Sequence, residues 1–147
     1  MHSIIFRSGV AGLALAALLA AGSLALAETV AFKAELKGAN EVPPIDSRGT
    51  GTVTATYDSA SKKLSWKIDY SGLTGNATAA HFHGPADRDK NAAVVVPMTG
   101  NLVSPIEGSA TLTDAQAADF IAGRWYFNIH TAAHAPGEIR GQMLKGM

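Results

Sequence analysis

The amino-acid sequence predicts an all-β fold, an antiparallel, Greek-key-like β-sandwich of about eight strands with one short helix. Three observations predict it. Apolar residues recur at every second position in most segments after residue 28, as expected of strands with one buried and one wet face. Turn residues separate these segments at the spacing of a sandwich or barrel. One segment alone shifts to helical spacing, and it carries its own start and stop signals.

The elements follow in order. "TVAFKAELK" (29–37) puts Val30, Phe32, Ala34 and Leu36 on one face and Lys33, Glu35 and Lys37 on the other. The loop "KGANEVPPIDSRGTG" (37–51) is long and polar, and its Pro-Pro pair stiffens the crossing. It reads as a rigid connection that also offers a rim to any site nearby. "GTVTATYD" (51–58) alternates threonine with Val53, Ala55 and Tyr57, and "KLSWKIDY" (63–70) alternates Leu64, Trp66, Ile68 and Tyr70 with polar residues. The short connection between them reads as a hairpin. "ATAAHFH" (77–83), "AAVVVPM" (92–98), "GSATLT" (108–113), "RWYFNIH" (124–130) and "EIRGQML" (138–144) supply the remaining strands. In "TDAQAADFIAG", Thr113 is a natural N-cap and Gln116 completes a capping box. Ala117, Phe120 and Ile121 are expected on its buried face, with Gly123 as the C-terminal stop.

Residues 1–27 stand apart. Arg7 precedes the apolar run "GVAGLALAALLAAGSLALA", which closes on the small-x-small pattern Ala25-Leu26-Ala27. This is the layout of a cleaved secretory signal peptide. The run is about long enough to span a bilayer, but it ends on a cleavage pattern instead of basic residues, so no membrane anchor is expected after cleavage. The mature chain is then 28–147, a single domain that is secreted or periplasmic.

The whole chain has twelve basic and twelve acidic residues, so the mature charge is close to zero. No basic stripe points to nucleic acid, and no polybasic segment points to an anionic membrane. Cysteine is absent, which excludes thiol redox chemistry and thiolate metal sites. Any metal must be held by nitrogen and oxygen.

Four histidines remain in the mature chain, His81, His83, His130 and His134, and all lie in the two short segments "AHFHG" and "NIHTAAH". Residues i and i+2 of a strand share a face about 6.5–7 Å apart. Imidazoles so placed can lean onto one ion at about 2 Å from each nitrogen. Phe82 points the other way and anchors the strand, while Gly84 and Pro85 end it, placing the pair near a sandwich mouth. His130 shares a face with Asn128 and Tyr126 if the Trp125 face is core. His134 follows after the turn "TAA" and must fold back to join. The expected metal ligands are His81, His83, His130 and His134. An all-imidazole set suits copper above all, with zinc or iron as alternatives. Met98 and Met143 sit in strand patterns and read as core filling.

In "PGEIRGQM" (136–143), Glu138 and Arg140 share a strand face. One reading is an ion pair across an exposed sheet face. The other makes Glu138 an acceptor for the N–H of a ligand imidazole, orienting the ring from behind, and Arg140 a guide for a small anion. Asp87, Arg88 and Asp89 solvate a loop, with either carboxylate open as a late ligand. No serine–histidine–acid order and no phosphate-binding glycine loop stands out, so hydrolase chemistry has no positive support.

The segments "FKAELKGANEVPP", "GTGTVTATYD", "LSWKIDYSGLTGNATAAHFHGPA" and "AGRWYFNIHTAAHAPGEIRGQM" together resemble the CHRD domain, named for the extracellular protein chordin. That resemblance implies an extracytoplasmic β-sandwich and little about activity. The histidine layout is also similar to that of copper/zinc superoxide dismutases. The chain lacks that family's disulfide cysteines, and four histidines cannot furnish both a copper and a zinc site. Three functions remain open: an exported metal-binding CHRD protein, a single-metal enzyme of superoxide dismutase type, and a non-catalytic protein-interaction module whose partner the sequence does not name.

Overall fold

The computed structural model describes residues 26–146; apart from its last two residues, the expected signal segment lies outside them. Strands β1 (Thr29–Lys37), β2 (Thr50–Asp58), β3 (Lys63–Ser71), β4 (Ala77–His83), β5 (Val94–Pro97) and β6 (Ile106–Thr111) precede helix α1 (Asp114–Ile121). Strands β7 (Tyr126–Thr131), β8 (Ile139–Gln142) and β9 (Leu144–Lys145) follow it. Every pairing is antiparallel, in the order β5-β4-β7-β8-β1-β2-β3-β6, with β9 on β1. One layer is β6-β3-β2-β1 and the other β5-β4-β7-β8. They are joined where Lys37 pairs with Arg140. The chain steps between layers after β3, after β5, through α1 and again from β8 to β9, which is Greek-key-like connectivity in an all-β sandwich with one helix.

Alternation builds the core. Phe32, Ala34, Leu36, Val53, Ala55, Tyr57, Leu64, Trp66 and Ile68 point inward from one layer. Ala80, Phe82, Phe127, Ile129 and Ile139 meet them from the other. Trp66 meets Phe82 edge-on at 5.3 Å between ring centroids, which ties the layers together. Met143 is fully buried and Met98 packs against the same cluster.

The helix closes one end of the sandwich. Thr113 and Gln116 form both halves of the capping box, and Phe120 packs on Phe32 at 4.4 Å and Trp125 at 5.3 Å. Ile121 departs from expectation and is 37% exposed. It lies about 100° around the helix from Phe120, and a helix this short presents only the Ala117–Phe120 side to the core. Gly123 has φ 74°, the left-handed stop expected after a helix.

Other bounds also shift. The strand expected over 138–144 divides at Met143: its N–H still donates to Trp125 O at 2.9 Å, in register with β7, but Leu144 beyond it pairs with Lys33 of β1. The strand expected over 108–113 begins instead at Ile106, which pairs with Ile68, and ends at Thr111, because Leu112 and Thr113 lead into the helix. The larger departure is β7, where all six residues are buried. Its outer face is not wet, because loops from three parts of the chain fold over it. That covered face holds the histidines.

Phe82→Ala, in the centre of β4 with no exposed surface, is expected to cost about 3–5 kcal/mol. Urea denaturation followed by far-UV circular dichroism measures it, with the loss appearing as a lower midpoint at unchanged slope.

Candidate metal centre

The register between β4 and β7 assembles the site. Because Phe82 points inward, His81 and His83 point outward together. On β7 the outward residues are Tyr126, Asn128 and His130. The cross-strand partners are His83↔Tyr126, His81↔Asn128 and Ala79↔His130. The small Ala79 side chain opposite His130 leaves room for that ring to lean diagonally toward His81.

Three imidazoles therefore meet. His81 Nδ1 lies 3.1 Å from His130 Nε2. Ring centroids are 4.9 Å apart for His81 and His130, 5.4 Å for His81 and His83, and 6.3 Å for His83 and His130. One ring nitrogen from each residue lies within 4.8 Å of the other two. Burial, reinforced by the neighbouring His130 and His83, holds His81 below the usual imidazole range. Burial also lowers His83, partly offset by its bonds to Ala92 O and Asn128.

Backbone carbonyls choose the tautomers. His83 Nδ1 lies 2.9 Å from Ala92 O, and His130 Nδ1 lies 2.8 Å from Ala135 O. A carbonyl only accepts, so each Nδ1 carries the proton and each Nε2 faces the centre. Asn128 Oδ1 sits between those two nitrogens, 2.9 Å from His83 Nε2 and 3.0 Å from His130 Nε2.

A stack supports the site from the side. The His83 ring lies parallel to Tyr126 at 4.7 Å and 4°, and Arg140 Cζ sits 3.4 Å from the Tyr126 ring centroid. Since β7 runs between β4 and β8, the imidazole and the guanidinium cover opposite faces of the phenol, a stacked cation–π arrangement. Arg140 is buried and donates to Asn91 Oδ1 at 2.8 Å, Lys90 O at 2.6 Å and Arg88 O at 3.3 Å. It therefore holds the loop whose next residue, Ala92, fixes His83.

The other expected residues lie elsewhere. His134 is half-buried in the turn after β7, outside the three-imidazole group, and its backbone pairs with Thr131. Glu138 and Arg140 form no ion pair across an exposed face, for both are buried and each has other partners. Glu138 accepts from Ser47 Oγ (2.7 Å), Thr74 N (2.9 Å), Thr74 Oγ1 (2.8 Å) and Thr131 Oγ1 (2.6 Å). Those donors take the place of the imidazole N–H expected there. Burial pushes this carboxyl up, but the donors outweigh it and hold it below the ordinary range. Asp87 and Asp89 are exposed. Residues not singled out in the sequence complete the site: Asn128, Tyr126 and Glu41. Burial pushes the Glu41 carboxyl up to about 7, against the lowering effects of Arg140 and Asn128. The shared β7 face announced Asn128 and Tyr126, whereas nothing local announced Glu41.

The family model of the CHRD domain matches residues 32–143. The chain belongs to the CHRD domain family. No curated protein and no solved structure matches it. In this CHRD domain the matched span contains both histidine segments and the loop that carries Glu41.

Glu138→Gln is expected to destabilise the domain by about 2–4 kcal/mol, because the amide turns a donor toward groups that need an acceptor. Glu138 has a lowered folded value, so its contribution is complete above the unfolded-chain value of about 4.3 and is lost as pH falls through the folded value. Urea midpoints measured from pH 7 down to acid should show that acid-side loss in the wild type and a shallower one in the variant.

Proposed function

We propose that this protein is an exported CHRD-domain protein that binds one transition-metal ion, copper by preference, through His81 Nδ1, His83 Nε2 and His130 Nε2. The observation that carries this reading is the convergence of three ring nitrogens within 4.8 Å, with two of the rings turned inward by backbone carbonyls. Fixing Nδ1–H on a carbonyl is how ligand histidines are commonly oriented in metal proteins. Three imidazoles without thiolate form a borderline site, for which copper(II) has the highest affinity among common divalent ions, zinc included. Family membership and the signal pattern of residues 1–27 support placement outside the cytoplasm. Among the described residues, no helix is long and apolar enough to cross a membrane.

Dismutase-like turnover at the same centre is the weaker reading. It asks for a cation facing the ion, whereas Arg140 lies beyond Tyr126 with its guanidinium committed to Asn91, Lys90 and Arg88. His134, outside the group, is not needed for binding.

Purified protein loaded with copper(II) or zinc(II) and freed of excess metal is expected to retain a single ion per chain by mass spectrometry of metal content. His81→Ala/His83→Ala should retain none, and His134→Ala should retain it in full. Equal metal in the wild type and the double variant would overturn the reading.

A further inference from the structure

The three imidazoles leave one contact unexplained. His83 and His130 each place a proton on Nδ1, so each Nε2 presents a lone pair. Asn128 Oδ1, also an acceptor, sits 2.9 and 3.0 Å from those two nitrogens. Acceptor facing acceptor at hydrogen-bond distance is repulsive. Protons on both nitrogens would set two buried cations side by side. A single shared cation relieves all the acceptors at once. Three of the six edges of such a centre are close to the required length, since bonds of about 2.0–2.1 Å in a tetrahedral centre imply ligand–ligand edges of about 3.3 Å. The contacts His81–His130, Asn128–His83 and Asn128–His130, at 3.1, 2.9 and 3.0 Å, lie a few tenths below that.

Resting on the three-histidine reading, we propose that Asn128 Oδ1 is the fourth ligand of the centre and that Glu41 is the positioning residue that keeps the amide oxygen turned toward it. An amide can present oxygen or nitrogen to the same place, so a ligand amide needs something behind it to choose. Glu41 comes from the loop after β1, is 6% exposed, and faces the Asn128 side chain. The contact is looser than a full hydrogen bond, leaving Oε1 without a close partner. A carboxylate there attracts the amide Nδ2 hydrogens and repels Oδ1. Gly137 makes the approach possible: its φ is 138°, and a Cβ at that position would overlap both Glu41 Oε1 and Asn128 Nδ2.

The probe is cobalt(II), whose visible absorption reports coordination number and ligand type. Wild-type protein is expected to give the intense bands of a four-coordinate ion with nitrogen and oxygen ligands. Asn128→Ala should weaken and shift those bands and lower cobalt affinity, and Glu41→Ala should lower affinity by ~10–100-fold, the range for loss of an orienting partner. Glu41→Ala/Asn128→Asp should restore wild-type affinity, since a carboxylate shows oxygen in either orientation; a merely structural role for Glu41 would not be rescued this way. Urea denaturation of each variant verifies that it is folded. An unchanged spectrum and affinity in folded Asn128→Ala overturns the fourth ligand and leaves the three histidines standing, as does failure of the rescue for the role of Glu41. No cobalt binding by the wild type overturns both the ligand assignment and the reading beneath it.

Discussion

The antiparallel register between β4 and β7 is the constraint on which the rest depends. With Ala79 opposite His130, and His81 opposite Asn128, two outward histidines on one strand and one on its neighbour meet around a common point. Strand side chains alternate with period two, so a slip of one residue would send Phe82 to the surface and both histidines into the core. Packing therefore enforces the register. Phe82 lies against Trp66, Trp125 and Phe127 with no exposed surface. The same residue that stabilises the sandwich also sets the direction of the two imidazoles beside it.

A second layer of constraint comes from the polar cover over β7. Burying an outer sheet face takes polar groups out of water, which is tolerable only if they find partners. Here they largely do. Glu138 collects donors from Ser47, Thr74 and Thr131 and so fastens three chain segments at one end of the strand. Arg140 fastens the loop at Arg88–Asn91, and the neighbouring Ala92 carbonyl holds His83. These contacts supply rigidity that a metal centre requires: imidazoles held by their far nitrogen cannot swing freely between orientations. Two residues that look in the sequence like an exposed ion pair are in fact separate anchors for the loops that shape the site.

Much of the fold was legible because strand patterning is local. The alternation in "TVAFKAELK" and "KLSWKIDY" carries its own meaning, and the capping box of Thr113 and Gln116 is complete within four residues of chain. Errors arose where a neighbour from far away intervened. Leu144 paired with Lys33 of β1 instead of continuing along β7, dividing one expected strand into two. Ile121 turned outward because the end of the sandwich accommodates only the Ala117–Phe120 side of the helix. The single buried face expected of β7 became two, since the loops that cover it are remote in sequence.

By itself, the sequence determined the all-β architecture, the absence of thiolate chemistry, and the pairing of His81 with His83 on one strand face, all consequences of residue type and short-range spacing. It also placed Tyr126, Asn128 and His130 on a common face. Only the tertiary structure decided which histidines meet, that His134 stays in its turn, and that Glu41 arrives behind Asn128 from a loop some ninety residues away in the chain. The reason is physical: period two tells which way a side chain points, but which strands become neighbours, and which loops close over them, is settled by the packing of the whole core.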